Sequence, residues 1–356
     1  MANDPRDKDG KNLQKALYLL GRNIPLRKQL IEFLKNAEPS IEIETSVRDD
    51  ITGPIIDALH DKDDIYEKSL SDTTRFKFLF RTKIARDFIM AEQEHPSHVW
   101  EPQTTRLLLD LATDLEKDIL VGGAYFGDQA VLAAKKLEAS KRTIHCFEPN
   151  LEQAKMLKEN FKINNLNNFK IDTLGLWSES NVHMKLDGFD SFANAIEANA
   201  EDEGFKTTSI DDYQHQFNLE IGLIQLDIEG AELKTLQGAA KTISKFKPHI
   251  ICEIHKDYVD WSNGLENTEL CKLLLDAGYS IFAIRDFNSH YEMGDKPIEL
   301  IPVKKVYLEG PPHGFNLLAV QDIHILSGSL YKIVENVSPK LLLHKDPLLH
   351  HPTDGL

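Results

Sequence analysis

The sequence predicts an α/β protein with a doubly wound, mostly parallel sheet and a helical region before it. Two observations carry this prediction. From residue 118 onward, short apolar runs alternate with stretches whose apolar residues recur at helical spacing, which implies crossover helices on both faces of a sheet. In addition, residues 119–130, I-L-V-G-G-A-Y-F-G-D-Q-A, look like a strand that turns into a helix through a glycine-rich loop.

The individual elements follow from the same patterns in chain order. Strands are predicted at 118–122, 142–147, 169–174, 222–227, 249–254, 279–284 and 314–320. A leading helix is predicted at 106–115, and crossover helices at 127–138, 150–163, 230–244 and 266–277. The polar stretch from Gly175 to Asp212 is expected to be irregular. From Trp177 onward it is expected to build part of an acceptor pocket or a lid, with a surface loop as the alternative; the residues in question are His183, Asp187, Phe189, Asp190 and Phe192.

The chain divides into four segments. These are a disordered N-terminus at 1–12, a helical accessory or oligomerisation region at 13–94, the main domain at 95–325 and a C-terminal extension at 326–356. Two segments support the helical prediction, because apolar residues recur at spacings of three and four in 26–35 and around Phe76, Phe78, Leu79 and Phe80.

Composition limits the function further. A formal charge of -16 argues against a broad grip on a phosphate backbone, so no nucleic-acid partner is expected. No apolar run is long enough for a membrane span, and the polar N-terminus lacks the apolar core of a signal peptide. The three cysteines, Cys146, Cys252 and Cys271, are scattered in apolar surroundings, which favours buried thiols and a cytoplasmic location.

A nucleotide-type site is predicted at the carboxyl ends of the first two strands. Gly122, Gly123 and Gly127 allow a tight turn and a close approach by a ligand, although glycine geometry alone would also explain them. In F-E-P-N (147–150), Glu148 follows the second strand about 20 residues later, where an acid accepts hydrogen bonds from ribose hydroxyls. Pro149 and Asn150 suit a helix start, which is the competing explanation.

A second group of acids is predicted at the ends of two later strands. Asp227 ends the apolar run of L-I-Q-L-D-I-E-G-A-E (223–232), and Glu229 follows it. Glu253 and His255 lie two residues apart on the next strand and therefore point to one side. Such a cluster can bind a metal, act as a general base or grip the amino group of a cofactor, and a structural polar network is the alternative.

These motifs together resemble the FkbM-type S-adenosylmethionine-dependent methyltransferases over residues 100 to 320. The resemblance is carried by the glycine loop, F-E-P-N, N-N-L-N-N-F-K-I (164–171), T-T-S-I-D-D-Y (207–213), L-D-I-E-G-A-E (226–232) and E-I-H (253–255). It implies a class I methyltransferase (Rossmann-like) sheet of seven strands with the last one antiparallel. It also implies O-methylation of a hydroxyl on a sugar, a glycan precursor or a secondary metabolite.

The resemblance further implies roles for individual residues. Gly123, Ala124 and Gly127 would face the methionine and ribose part of the cofactor, within a loop that also includes Gly122 and Tyr125. Glu148 would bind the ribose hydroxyls, with Pro149 beside it and Asn150 near the adenine. Asp227 and Glu229 would flank the methyl-transfer site.

Three positions depart from the family pattern. Val121 stands where the family usually has an Asp on the first strand, and Tyr125 replaces an Asn in the loop. Gln225 stands where the family often has a Lys, so an anionic substrate group would need another partner. Asp128, late in the loop, is the candidate to replace the acid missing at Val121.

The expected chemistry is removal of a proton from a hydroxyl during an in-line displacement. His255 is the favoured base by residue type, with Asp227 orienting it or binding a divalent metal ion together with Glu253. The alternatives are an NAD-dependent oxidoreductase, disfavoured by the G-G-x-x-x-G spacing, and a catalytically inactive methyltransferase-fold binding protein. The expected partners are a small-molecule or sugar acceptor and a second copy of the chain bound through the N-terminal helical region.

Overall fold

A computed structural model of the chain describes residues 5–113, 115–187, 194–197, 203–287, 289–308 and 314–341. Within these ranges the helices, α1 to α11 in chain order, are Pro5–Gly21, Ile24–Ala37, Gly53–Ala58, Lys83–Ile89, Pro102–Ala112, Ala130–Leu137, Leu151–Ile163, Ile210–Phe217, Glu232–Gln237, Ala240–Phe246 and Glu269–Asp276. The strands, β1 to β17, are Ile65–Ser69, Arg75–Leu79, Asp118–Gly122, Ile144–Phe147, Phe169–Asp172, Gly175–Leu176, His183–Asp187, Asn194–Glu197, Phe205–Thr208, Ile221–Leu226, His249–Ile254, Ser280–Ile284, Asp286–Phe287, Ile298–Pro302, Phe315–Val320, Tyr331–Ile333 and Lys340–Leu341.

The main sheet confirms the predicted fold class. Its strand order is β16-β14-β12-β15-β11-β10-β3-β4-β5. The seven predicted strands are all present, and β15 runs antiparallel between β11 and β12, as the class I methyltransferase arrangement requires. The order reverses at β3, which has β4 on one side and β10 on the other, so a ligand crevice is expected at its carboxyl end.

Burial explains why these strands read as continuous apolar runs. Every residue of β3, β4 and β10 is buried. Helices cover the sheet on both faces, and each face has its own apolar core. The three cysteines are free and buried in these cores, as predicted.

Three predicted boundaries need correction. The sheet has nine strands rather than seven, because β14 and β16 extend its edge. The helix predicted at 230–244 is two helices, α9 and α10, since a side chain at Gly238 would lie 2.4 Å from the carbonyl oxygen of Trp177. The segment 175–212, predicted to be irregular, contains a four-stranded sheet in the order β6-β9-β7-β8; Phe189, Asp190 and Phe192 lie outside the described residues.

The N-terminal region differs from its predicted all-helical form. Helix α1 begins at Pro5, inside the segment expected to be disordered. The apolar residues Phe76 and Phe78 form the buried face of β2, which pairs with β1 in an antiparallel hairpin, because their spacing is two rather than three or four. The Asn160 side chain of α7 accepts a hydrogen bond from the Lys77 backbone and donates one back, which fixes this hairpin to the main domain.

The described part of the C-terminal extension belongs to the fold rather than to a ragged tail. Strand β16 pairs in parallel with β14, and β17 pairs in parallel with β13. Residues 342–356, including His344, His350 and His351, lie outside the described residues. Among the helices described, none is both long and apolar enough to cross a membrane.

Candidate active site

A deep cavity opens at the carboxyl ends of β3, β4 and β10, where the strand order reverses. It is lined by Ile84, Trp100, Glu101, Val121, Gly123, Ala124, Tyr125, Asp128, Gln129, Ala130, Phe147, Glu148, Pro149, Asn150, Gln153, Leu174, Gly175, Leu176, Leu186, Phe205, Gln225, Asp227, Ile228, Glu229 and Ala231. Nine of the residues predicted from sequence as site residues are therefore in one place. Four others, Gly122, Gly127, Glu253 and His255, do not line it.

The glycine loop is shaped by close packing as well as by the cavity. Gly123 has a φ of +74°, and a Cβ there would lie 1.7 Å from the carbonyl oxygen of Asp227. Gly127 has a φ of +92° and faces Leu157 of α7, so packing and backbone geometry account for it. Backbone geometry and packing are thus enough to explain the glycine at position 127. Gly123, in contrast, also forms part of the cavity wall.

Tyr125 occupies a left-handed backbone position with a φ of +48°. Asn adopts this left-handed conformation more readily than most residues. This is a physical reason for the Asn that the family usually has at this position. The Tyr125 hydroxyl is hydrogen bonded to that of Thr82 at 3.1 Å. The bulky ring is therefore held against the N-terminal region rather than free to fill the cavity.

Glu148 is buried at the end of β4 and is held by backbone donors. The N–H of Tyr125 donates to its Oε2 at 2.8 Å, and the N–H of Asn150 donates to its Oε1 at 2.9 Å. The Asn150 side chain in turn caps α7 by accepting from Glu152 and Gln153. The helix-start explanation for Asn150 is confirmed, and the cap orients the wall that Glu148 and Pro149 form.

Asp227 follows β10 on the other side of β3, and its side chain is open to the cavity. Burial of the surrounding site raises its pKa to about 6, while the charge of Lys340 opposes that shift. Glu229, two residues on, has a left-handed φ of +50° and accepts a hydrogen bond from the hydroxyl of Tyr258. Burial and the charges of Asp227 and Glu232 raise the pKa of Glu229 to about 8.

Glu232 braces the loop that carries these two acids. Its carboxylate accepts hydrogen bonds from the N–H groups of Ile228 and Gly230 at 2.9 and 3.0 Å. Glu232, which stands in the first turn of α9, therefore fixes the loop from 227 to 230. This bracing sets the spacing between Asp227 and Glu229.

Glu253 approaches the same group from β11, but His255 does not. Carboxylate oxygens of Asp227, Glu229 and Glu253 all lie within 4.8 Å of one another. Burial, followed by the charges of Asp227 and Glu229, raises the pKa of Glu253 well above its usual value. His255 instead accepts a hydrogen bond from the backbone of Asp257 at 3.1 Å and lies outside the cavity wall.

Asp128 and Val121 both line the cavity. The carboxyl group of Asp128 therefore lies on the wall of the same cavity as position 121, where the family usually has an Asp. Burial and the charge of Asp227 raise the pKa of Asp128 to about 7. Gln225 also lines the cavity, and its side-chain amide donates to the Gln129 side chain. Gln225, at the position where the family often has a Lys, is thus hydrogen bonded to the amide of Gln129.

Sequence patterns did not reveal four residues from the flanks of the domain. Glu101 lines the cavity, is buried, and accepts a hydrogen bond from the Asn316 amide at 2.8 Å. Lys340 of β17 is 2% exposed and pairs in register with Asp286 of β13. Its charge acts on Glu101, Asp227, Glu253 and Asp286. The only signal for Lys340 was a lysine beside an apolar run at 338–343, which has no motif around it.

Comparison with known proteins agrees with this geometry. Residues 122–281 match the family model of the methyltransferase FkbM domain, and this range holds strands β4, β5, β10 and β11 of the class I methyltransferase sheet. This range holds the glycine loop, Glu148 and Asp227, whereas Glu101, Asp286, Asn316 and Lys340 lie outside it. None of the curated proteins compared with the chain matches it.

Solved structures with a similar arrangement are distant. The FkbM methyltransferase of Methylobacillus flagellatus KT is 15% identical with a TM-score of 0.34, covering 57% of this chain and 43% of its own. A putative O-methyltransferase from Klebsiella pneumoniae is 11% identical with a TM-score of 0.34, covering 62% and 80%. M. jannaschii TYW2 in complex with AdoMet is 12% identical with a TM-score of 0.35, covering 73% and 86%. The chain thus spans less than half of the Methylobacillus protein.

Proposed function

We propose that the protein is an S-adenosylmethionine-dependent O-methyltransferase that acts on a hydroxyl of a sugar, a glycan precursor or a secondary metabolite. The observation that carries the proposal is the placement of Glu148 and Asp227 in one cavity, on either side of the glycine loop. Glu148 is the ribose-binding residue of the proposal, and Asp227 and Glu229 are the acids at the transfer site. The cofactor supplies the electrophilic methyl group when it is bound.

The proposed base is Asp227 rather than His255. Removal of a proton needs an unprotonated acceptor in contact with the substrate, and Asp227 lines the cavity while His255 lies outside its wall. A pKa of about 6 leaves Asp227 ionised near neutral pH, whereas the pKa of about 8 for Glu229 favours its protonated form. Two neighbouring acids with separated pKa values suit a base and a hydrogen-bond donor to the acceptor oxygen.

Metal assistance is the second chemistry that an observation favours. The oxygen ligands of Asp227, Glu229 and Glu253 are the type that Mg²⁺ or Mn²⁺ prefers, and they converge within 4.8 Å. In this version Asp227 and Glu253 would hold the ion, as expected from sequence. Activity that is lost on chelation and restored by Mn²⁺ would support it, and full activity in the chelator would remove it.

Titration calorimetry tests the proposed cofactor. S-adenosylmethionine and its demethylated product are expected to bind, and NADH is not. Binding of NADH alone would overturn the proposal in favour of an oxidoreductase. Cofactor binding without any gain of one methylene in mass, across a broad panel of hydroxyl acceptors, would instead favour an inactive binding protein.

Self-association through the N-terminal helices is a further part of the proposal. Helices α1 and α2 expose apolar side chains, among them Leu13, Leu19, Ile24 and Phe33 at 56–65%. Such residues on neighbouring helices suit an interface between copies. Light scattering should show a dimer that Leu19→Ser with Phe33→Ser dissociates; a wild-type monomer would contradict this.

A further inference from the structure

The charged side chains that line the cavity are all acidic. The described residues of the lining include five with carboxyl groups, namely Glu101, Asp128, Glu148, Asp227 and Glu229. The same described lining contains no Lys, Arg or His. A bound anion would therefore meet carboxyl groups, among them the ionised Asp227, and no positive group on these walls.

The cation whose charge acts on Glu101 and Asp227 is shared among several acids. Lys340 is 2% exposed, so it does not reach the cavity surface. Its charge acts on the carboxyl groups of Glu101 and Asp227 as well as on two acids farther back, Glu253 and Asp286. One ammonium among four carboxyl groups has no surplus positive charge to offer an anionic ligand.

The position where the family often carries a positive charge is also neutral. Gln225 donates its amide to Gln129, and both residues line the cavity. The amide can accept or donate hydrogen bonds but cannot balance a phosphate. This removes the second source of positive charge.

Outside the glycine loop and the strand ends, the wall combines Glu101 and Gln153 with four large apolar side chains. Ile84 of α4, Trp100 before α5, Leu186 of β7 and Phe205 of β9 contribute to it. An indole and a phenyl ring offer broad faces to a flat apolar group. These side chains come from α4, from the segment before α5 and from the four-stranded sheet, so their elements differ from the ones that hold Glu148.

We propose that the acceptor is an uncharged or cationic molecule with a flat apolar portion next to its reacting hydroxyl, and that the cavity rejects phosphorylated acceptors. The inference rests on the proposed function, since it assigns Glu148 to the cofactor and the apolar wall to the acceptor. Like charges in a buried site repel strongly and discriminate between otherwise identical ligands. Sugar nucleotides and nucleic acids would be excluded on the same ground.

A matched pair of probes tests this. The protein is first titrated with S-adenosylhomocysteine, and the saturated complex is then titrated with 2-naphthol and with 2-naphthyl phosphate. We expect 2-naphthol to bind at least about tenfold more tightly than its phosphate ester. Equal affinity, tighter binding of the ester, or no binding of 2-naphthol would overturn the inference.

Two variants place the effect in the cavity. Gln225→Lys should reduce the ratio of the affinity for 2-naphthol to the affinity for 2-naphthyl phosphate, because it adds a cation to the lining. The neutral Gln225→Met should leave this ratio near its wild-type value. A ratio unaffected by Gln225→Lys would place the probes elsewhere and overturn the inference. Failure of S-adenosylhomocysteine to bind in the first step would instead defeat the proposed function, so the two failures are distinguishable.

Discussion

The two ends of the cavity carry the same kind of group in opposite surroundings. Glu148 and Asp227 each follow a buried parallel strand, on either side of β3. At Glu148, two backbone N–H groups point at the carboxylate. At Asp227, burial raises the pKa to about 6, and the charge of this acid in turn raises the pKa values of Asp128, Glu229 and Glu253.

This difference suits the Glu148 end to binding a ligand and the Asp227 end to exchanging a proton. Hydrogen bonds from N–H groups favour the ionised form of a carboxylate and fix its direction, which suits a residue that accepts hydrogen bonds from a ligand. Burial and repulsion between neighbouring acids favour the protonated form and keep proton affinities near neutrality, which suits residues that exchange a proton. The comparison predicts that changes at the Asp227 end affect turnover and that changes at the Glu148 end affect affinity.

The largest effect is expected for Asp227→Asn. The substitution keeps the shape but removes the base, so kcat should fall at least about a hundredfold. Calorimetry should show nearly unchanged affinity for S-adenosylmethionine. The wild-type kcat should also fall as the pH drops through about 6, where Asp227 takes up a proton.

Two outcomes at this position would change the assignment. Near-normal turnover would refute the catalytic role of Asp227. A loss of cofactor affinity equal to the loss of kcat would mean that Asp227 grips the amino group of the cofactor instead. Glu159→Gln, on the exposed face of α7, is the matched control and should change neither quantity.

The second prediction concerns Lys340→Met, which removes the cation at the back of the Asp227 end. Breaking a buried charge group by deleting one partner costs about 3–5 kcal/mol, because the acids left behind are uncompensated. Urea unfolding should therefore show a large loss of free energy of unfolding.

Lys332→Met is the matched control for that change. Lys332 lies on the neighbouring strand β16 and pairs with Glu299 at the surface. An exposed pair contributes less than about 1 kcal/mol. Similar losses for the two variants would show that Lys340 is not a buried counter-ion.

The parts of the fold and of the site that could be predicted from the sequence are those that leave a pattern in a short stretch of chain. The seven strands, the loop and the positions of Glu148 and Asp227 followed from apolar runs and short motifs, because the carboxyl ends of parallel strands meet at one edge. Glu101 and Lys340 could not be found in this way. Glu101 is held by Asn316, 215 positions away, and Lys340 pairs in register with Asp286 of another strand, so no local pattern records either contact.

Two other differences from the sequence patterns have physical causes as well. Strand β11 ends at Ile254, so His255 follows the strand that carries Glu253, and its ring accepts a hydrogen bond from the backbone of Asp257. The hairpin β1–β2 was read as helix because Leu79 beside Phe78 imitates helical spacing, whereas burial follows Phe76 and Phe78. Periodicity over so few residues does not separate the two.

The third prediction tests the Glu148 end. Glu148→Ala should weaken binding of S-adenosylmethionine at least about tenfold, since the ribose hydroxyls lose their acceptor. It should also cost about 1–3 kcal/mol of stability, because two buried N–H groups lose their partner. Glu148→Gln retains an acceptor oxygen and should show a smaller loss of stability. Unchanged cofactor affinity in Glu148→Ala would remove this residue from the site.

The smallest expected effect is a fall in stability as the pH rises from 6.5 to 8. In this window the folded state holds protons on Glu101 and Glu229, whose pKa values are raised to about 8, while the unfolded chain has already released them. A raised carboxyl pKa therefore makes ionisation oppose folding, so the melting temperature should decrease with pH.

The buried histidines His60 and His98 have pKa values lowered to about 4, so their contribution to stability changes only below this pH window. Glu229 is only half-buried, and solvent screening of such a group keeps the effect small. Glu229→Gln should flatten the slope, and a melting temperature that rises across this range would contradict the crowding of acids at the Asp227 end.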